Sequence, residues 1–281
     1  MTPSDVLAQR RAELERRLAA LTPEKRAQLE RARDGGLQVT RRSGPVPRID
    51  DGPAPMSYAQ ELLWLLDRAT PGMHGYNVPR SARLRGPLDV AALSTALDAV
   101  VARHEVLRST FDTIDGEPRQ IVNPAAPVAI AITDLRDRAP ACREDEALAL
   151  VRELSRRPFD LARDPQLRAS LIRLDDEDHV LLLESHHVSS DAWSRNILMR
   201  ELSAFYEAAR NGEPLTLGAL PIQYGDYARW QRQSLEGEAL ERHLAYWRDQ
   251  LRGAPTLLEL PTDRPRPAVQ SFEGAQRARL F

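Results

Sequence analysis

The spacing of apolar residues predicts alternating strands and helices over most of the chain. Residues 180–183 form an uninterrupted apolar run, typical of a buried strand, and residues 167–174 precede it across a polar turn. A second hairpin is predicted at 107–121, turning at Asp115-Gly116. The other predicted elements are helices at 57–66, 89–104, 144–156, 192–210, 224–233 and 238–251, and short strands at 82–84 and 128–132.

The first 54 residues differ from the rest of the chain in composition and in the secondary structure that they predict. A helical extension is predicted at residues 1–36, because Leu7, Leu14 and Leu18 fall on one helix face in a segment that is otherwise rich in charged residues. Residues 37–54 are rich in glycine, proline and charge, which predicts a linker before a domain at 55–281. The extension is interpreted either as a docking segment or as a solvated linker helix, because helices this short are marginally stable alone.

Composition excludes several classes of protein. The chain has 281 residues, enough for about two domains or lobes. No apolar run approaches the ~20 residues of a membrane helix and no signal peptide is visible, so we expect a soluble, cytoplasmic protein without membrane contact. A formal net charge of -2 gives no basic field for nucleic acid. Cys142, the only cysteine, excludes an internal disulfide.

Two of the six histidines, His186 and His187, lie side by side where the buried strand ends. Neighbouring side chains of an extended chain point to opposite faces, so we expect one histidine to face a cavity and the other to pack inward. They therefore cannot easily ligate one metal ion together. A third ligand at metal-binding spacing is also missing, and the sequence predicts no metal site.

Asp191, four positions after the second histidine, allows two interpretations. It follows Ser189-Ser190 and precedes a helical pattern. Its side chain can therefore cap that helix by accepting a hydrogen bond from an unpaired backbone N–H of the first turn. Alternatively, its carboxylate orients a histidine or pairs with an arginine that holds the loop. The second interpretation gains weight because the polar cluster follows a rigid strand and because imidazole is well suited to proton transfer near neutral pH.

The segment HHVSSDAWS at 186–194 closely resembles the HHxxxDG motif of the condensation domains of nonribosomal peptide synthetases. These domains belong to the wider acyltransferase superfamily shaped like chloramphenicol acetyltransferase. Three further segments resemble family motifs in the same order: SYAQELLWLLD at 57–67, RHEVLRSTF at 103–111 and YGDYARWQR at 224–232. The order of four motifs makes the resemblance specific, and it extends from residue 55 to about residue 281.

The resemblance implies an α/β (α+β) fold of the chloramphenicol acetyltransferase type. Two lobes, each a sheet flanked by helices, form a tunnel between them, and this chain corresponds to the first lobe and the start of a truncated second lobe. His187 is then the catalytic residue facing the tunnel. His186, Asp191 and Arg108 support the motif, Asp191 through an arginine partner and Arg108 by bracing the floor of the active site.

The resemblance also implies a reaction. The amine of an aminoacyl acceptor attacks a donor thioester and forms an amide bond. The phosphopantetheine arms of donor and acceptor peptidyl carrier proteins deliver both substrates, and the domain binds no cofactor of its own. A neighbouring adenylation domain is a further expected partner, as is an upstream synthase subunit that residues 1–36 would dock. No nucleic acid partner is expected.

Several motif residues have purely structural alternatives. Ser57 can merely cap a helix, and Arg103, His104 and Arg108 can form a solvated helix end. The aromatic residues of the fourth motif, Tyr224 and Trp230, with Asp226, can be packing groups on a helix.

Two departures from the family pattern leave other functions open. Ala192 stands where the family has glycine, which matters only if that position has a positive φ or approaches substrate closely. The family's later motifs are also absent. The alternatives are a related HHxxxD acyltransferase, an epimerisation or ester-forming domain, and a noncatalytic module that docks carrier proteins.

Overall fold

The computed structural model describes residues 52–265 and 267. The extension predicted at 1–36 and most of the linker predicted at 37–54 lie outside the described residues. The strands are β1 (Ala54–Pro55), β2 (Asn77–Arg85), β3 (Ser109–Ile114), β4 (Glu117–Val122), β5 (Ile130–Asp134), β6 (Leu167–Asp175) and β7 (Asp178–His186). The helices are α1 (Tyr58–Ala69), α2 (Val90–Arg103), α3 (Pro140–Ser155), α4 (Ala192–Asn211), α5 (Tyr224–Ser234) and α6 (Gly237–Gln250), with a 3-10 helix at Glu105–Arg108.

A four-stranded mixed sheet in the order β2-β7-β6-β5 carries the largest core. Strand β7 pairs antiparallel with β2 and β6, whereas β5 is parallel to β6. Helices α2 and α4 cover one face, where Leu97 and Phe205 pack against Leu181 and Leu183 of β7. Helix α3 covers the other face. Central β7 is thus buried on both faces, as its apolar run predicts, and the predicted mixed sheet flanked by helices is confirmed.

Turn chemistry accounts for the second hairpin. Strands β3 and β4 pair from Ser109–Val122 to Ile114–Glu117, so only Asp115 and Gly116 lie in the loop. Both have a positive φ, 52° and 82°, which is the geometry of a two-residue turn that matches the twist of the strands. The predicted hairpin and its turn are confirmed.

Two element boundaries differ from the prediction by four residues or more. Strand β2 spans nine residues, although its apolar pattern predicts only 82–84, because backbone pairing with β7 extends the strand through exposed arginines. Helix α3 begins at Pro140, four residues before the predicted start, because proline is accommodated in the first turn, where its missing N–H has no partner to lose.

A smaller sheet, β1-β4-β3, meets α5 near the start of the described chain. Helix α5 approaches β1 closely, since a Cβ added at Gly225 would lie 3.2 Å from the Ala54 Cβ. Arg229 also donates a hydrogen bond to the Gly52 carbonyl at 2.8 Å. These contacts bring the fourth motif segment against the residues that lead into α1.

Helix α6 presents apolar side chains to solvent. None of its residues is buried, and Tyr246 and Trp247 are both 57% exposed. Leu251, which follows the helix, is also exposed. Among the helices described, none is both long and apolar enough to cross a bilayer.

Candidate active site

The double histidine lies at the end of β7, and a tight loop of five residues leads from it to α4. The carbonyl of His186 accepts the Ser189 and Ser190 N–H groups at 3.0 and 3.2 Å. The hydroxyls of Ser185 and Ser190 lie 2.6 Å apart and link the strand to the loop. We refer to residues 186–191 as the motif loop.

His186 is the buried member of the pair. It is 2% exposed and lies edge-on to the rings of Tyr76 and Phe159, with centroid distances of 6.4 and 6.1 Å. Its Nδ1 accepts the Val188 N–H at 3.1 Å, which places the proton of the neutral ring on Nε2. Burial, with a smaller contribution from neighbouring His187, lowers the pKa of His186 to about 4. The ring is therefore neutral near pH 7 and holds the loop from inside.

His187 is exposed, so the strand alternation correctly predicts that the two histidines face opposite ways. Its backbone N–H donates to the Tyr76 carbonyl at 2.9 Å, and its ring lies 6.5 Å from the Tyr76 ring. Within residues 52–265, no protein group forms a hydrogen bond or ion pair with the His187 ring. Both ring nitrogens are therefore available to a substrate group.

A buried cluster lies beneath the motif loop. Val188 is 3% exposed and anchors the loop in this cluster. Its other members come from α1 and the residues that lead into it, from β3 and from the segment before β6: Met56, Trp64, Phe111, Phe159 and Leu161. Three separate stretches of chain thus fix the position and direction of the loop.

Asp191 caps α4. Its Oδ1 accepts the Ser194 N–H at 2.8 Å, and the Ser194 hydroxyl accepts the Asp191 N–H at 2.7 Å, which completes a capping box. The hydrogen bonds from Ser194 lower the pKa of the Asp191 carboxyl, so it stays ionised. The predicted cap is confirmed, whereas no arginine forms an ion pair with Asp191 in the part of the chain that the structure describes.

Arg108 lies at the base of the β3–β4 hairpin. Its Nη1 donates to the Asn123 carbonyl, and its Nη2 lies 3.6 Å from the Glu105 carboxylate. The Asn123 side-chain amide donates a hydrogen bond to the Arg108 carbonyl at 3.1 Å. None of these contacts reaches the motif loop. The role predicted for Arg108, to brace the floor of the active site, stays a prediction.

The second motif is not a solvated helix end. Arg103 and His104 both contact the Glu201 carboxylate of α4, at 3.2 and 2.5 Å, and Glu201 is only 7% exposed. The alternative of a solvated cation cluster is therefore wrong for these two residues. They join α2 to the helix that follows the motif loop.

Ala192 fits its position without backbone strain. It is the first residue of α4, and Asp115 is the one non-glycine residue with a positive φ in the described chain. A methyl group is tolerated here because the helical backbone favours alanine. The departure from glycine therefore does not disturb the loop.

Three residues near the site carry no sequence signal that singled them out. Tyr76 and Phe159 flank His186 from loops, and Glu184 lies two residues before it on β7. Glu184 is 2% exposed, and burial raises the pKa of its carboxyl. Glu184 directly follows the apolar run 180–183 within the same strand, and a charged residue at such a position is the one pattern that could have identified it as unusual.

A cavity of about 380 Å³ lies elsewhere, between α5 and the β1–β4 edge, with Glu61, Arg119 and Arg232 in its wall. Neither histidine lines it. The open cleft predicted beside His187 stays a prediction. No group of three or more His, Cys, Asp or Glu side chains among the described residues is arranged to hold a metal ion.

Acid is expected to weaken the fold through His186. An unfolded histidine has a pKa of about 6.5, whereas His186 has one of about 4, so between these values the unfolded state binds more protons. The stability that neutral His186 contributes is complete above pH ~6.5 and is lost as the pH falls toward 4, a loss on the order of 3 kcal/mol. Denaturant unfolding measured across this pH range tests the expectation.

A matched pair of variants isolates this contribution. In His186→Asn the amide oxygen can accept the Val188 N–H in place of Nδ1, so the loss of stability between pH 6.5 and 4 should shrink. His243→Asn, on α6 where no residue is buried, should follow the unaltered protein. An equally steep acid loss in His186→Asn would contradict the assignment.

The comparison with known proteins agrees with the motif geometry. Residues 51–281 match the family model of the condensation domain. One of the linear gramicidin synthase proteins of Brevibacillus parabrevis is 48% identical over 237 residues, which cover 84% of this chain and 3% of that protein. A phosphinothricin tripeptide synthetase of Streptomyces viridochromogenes is 44% identical over 270 residues, covering 94% of this chain and 24% of that protein.

Solved structures show the same fold. The X-domain from teicoplanin biosynthesis matches with a TM-score of 0.70 and 32% identity, covering 80% of this chain and 49% of that one. The first condensation domain of the calcium-dependent antibiotic synthetase, solved with a substrate analogue, matches with a TM-score of 0.64 and 26% identity, covering 72% and 48%. The chain spans about half the length of these structures, and their likeness confirms the predicted chloramphenicol acetyltransferase-like fold. The chain belongs to the condensation-domain family.

Proposed function

We propose that this chain supplies the His187-bearing part of a domain that forms amide bonds in nonribosomal peptide biosynthesis. The donor is an acyl, aminoacyl or peptidyl thioester on one carrier protein, and the acceptor is an aminoacyl thioester on another. The observation that carries the proposal is the exposed His187 ring at the end of a buried strand, next to a neutral His186. Within the described residues, this ring has no hydrogen bond or ion pair to protein.

The chemistry requires little from the protein. A thioester is already activated, so the acceptor nitrogen can attack its carbonyl carbon, form the C–N bond and expel the donor thiolate. The nitrogen loses one proton, which the departing thiolate finally takes up. The His187 imidazole can orient the amine and accept this proton in transit, a contribution of typically ~100 to 10,000-fold. Holding two tethered reactants together contributes more, up to ~7–11 kcal/mol.

The partners follow from this reaction. Donor and acceptor peptidyl carrier proteins present their substrates on phosphopantetheine arms, and the domain holds no cofactor itself. An adenylation domain is the expected neighbour because each carrier must first be loaded. Residues 1–36 are proposed to meet an upstream synthase subunit. We place the protein in the cytoplasm, without membrane or nucleic acid partners.

The test uses a complete condensation domain that contains this chain, which we call the parent protein, with a donor carrier and one of two acceptor carriers. Amide formation with an aminoacyl acceptor, followed by mass spectrometry of the acceptor carrier, is the expected result. Product only with a hydroxyacyl acceptor would identify an ester-forming domain. Exchange of the donor α-proton for deuterium without transfer would identify an epimerisation domain, and carrier binding without any reaction would identify a docking module.

A further inference from the structure

Helix α5 forms hydrogen bonds with the residues that lead into and begin α1. Three of the hydrogen bonds at this junction reach Met56, Ser57 and Tyr58: the Tyr224 hydroxyl lies 3.1 Å from Ser57 Oγ, Gln231 Oε1 accepts the Tyr58 N–H at 3.0 Å, and Arg232 Nε donates to the Met56 carbonyl at 2.8 Å. The first and fourth motif segments, which the proposed chemistry does not use, therefore form one structural unit.

This junction lies against the motif loop. Met56 at its centre packs in the same buried cluster as Val188, the residue that follows His187. On the helix side, Tyr224 is half-buried, and burial raises the pKa of its phenol. Smaller contributions to that rise come from Tyr227 and from the charge of Asp191. Ser57, which the Tyr224 hydroxyl contacts, directly follows Met56 and so links the junction to the Val188 side of the motif loop.

We propose that the hydrogen-bonded hydroxyls of Ser57 and Tyr224 are a positioning pair for the loop that carries His187. The functional part of this inference rests on the proposed amide-forming activity. The pair acts on the loop through Met56 and Val188, which pack in one buried cluster, and does not contact the reacting atoms.

Ser57 Oγ makes two contacts at this junction. It accepts the Gln60 N–H at 3.2 Å as the N-cap of α1, and it lies 3.1 Å from the Tyr224 hydroxyl, where either hydroxyl can donate. Removing the Tyr224 hydroxyl therefore breaks the bond between α5 and the start of α1 while Ser57 still caps the helix.

The first test follows amide hydrogen exchange in the 281-residue chain. Tyr224→Phe removes only the hydroxyl, and we expect the amides of residues 187–191 to exchange about fivefold faster, the effect of losing one hydrogen bond of ordinary net strength. Tyr246→Phe, on the exposed face of α6, should leave these amides unchanged. Unchanged exchange in Tyr224→Phe would overturn the positioning role.

The second test measures amide formation in the parent protein. Tyr224→Phe should lower kcat about tenfold while the KM values for both carriers stay within about twofold, since the loop and not substrate binding is affected. Ser57→Ala should act similarly, and Ser57→Thr, which keeps the hydroxyl, should recover the rate. In a His187→Ala background, Tyr224→Phe should have no further effect, because the pair acts through His187.

The outcomes separate the two proposals. If Tyr224→Phe lowers kcat equally with and without His187, the pair acts independently of the loop and the inference fails. If the exchange rate rises but kcat does not change, the pair holds the loop without consequence for catalysis, and the inference also fails. If the unaltered parent forms no amide, the proposed function fails, whereas the exchange measurement still decides whether the pair holds the loop.

Discussion

The 281-residue chain, purified by itself and supplied with both loaded carriers, is expected to form dipeptidyl thioester at least about 100-fold more slowly than its parent protein. The largest contribution to the rate is the proximity of two tethered substrates, worth up to ~7–11 kcal/mol. The chain spans about half the length of the solved structures it matches, and the resemblance implies a tunnel walled by two lobes. His187 alone cannot hold two carrier arms face to face.

Exposed apolar side chains in the described structure agree with this expectation. Trp193 is 78% exposed beside the motif loop, and Tyr246, Trp247 and Leu251 face solvent on and after α6. Exposed apolar groups close together on one segment, such as Tyr246, Trp247 and Leu251, usually mark a surface that another protein surface covers. We therefore also expect the isolated chain to associate at high concentration.

The assay needs two controls. Circular dichroism and amide exchange must show that the isolated chain is folded, so that lack of turnover is not lack of structure. The same chain with His187→Ala sets the background rate. Turnover by the chain comparable to that of the parent, and abolished by His187→Ala, would show that the part of the fold present here suffices for catalysis.

Local rules predicted the parts of the structure that neighbouring residues decide. The period of two along a strand predicts that His186 and His187 face opposite ways, and Asp115-Gly116 predicts a turn that requires a positive φ at both positions. The cap interpretation of Asp191, one of two that the sequence left open and the one given less weight, is confirmed, and it was accessible because the residues that define a cap lie within one turn. Each of these features is encoded in fewer than about ten consecutive residues.

Long-range contacts could not be predicted in the same way. Ser57 and Tyr224 are separated by 167 positions, and no local pattern indicates that their hydroxyls meet. Glu201 lies within a long helix whose pattern gives no sign that it binds Arg103 and His104. Such pairs follow from how the elements pack, which depends on the whole core. The resemblance placed the motifs in one family but did not supply these contacts.

Replacing His187 by alanine in the parent protein is expected to lower the rate of amide formation by ~100 to 10,000-fold, the usual contribution of a positioned acid or base. Stability should change little because the ring is exposed and has no hydrogen bond or ion pair within the described residues. Replacement of His243, on α6, serves as the matched control and should leave the rate unchanged. The two variants together separate loss of an imidazole at the motif from loss of any histidine.

Single-turnover transfer shows directly whether His187 takes part in amide formation. Donor and acceptor carriers are mixed with the parent protein or its His187→Ala variant, quenched at short times, and the mass of the acceptor carrier is recorded. We expect the acceptor to gain the donor acyl group through an amide bond with the unaltered protein, and to do so at least ~100-fold more slowly with the variant. Equal rates of amide formation by the two proteins would contradict this expectation.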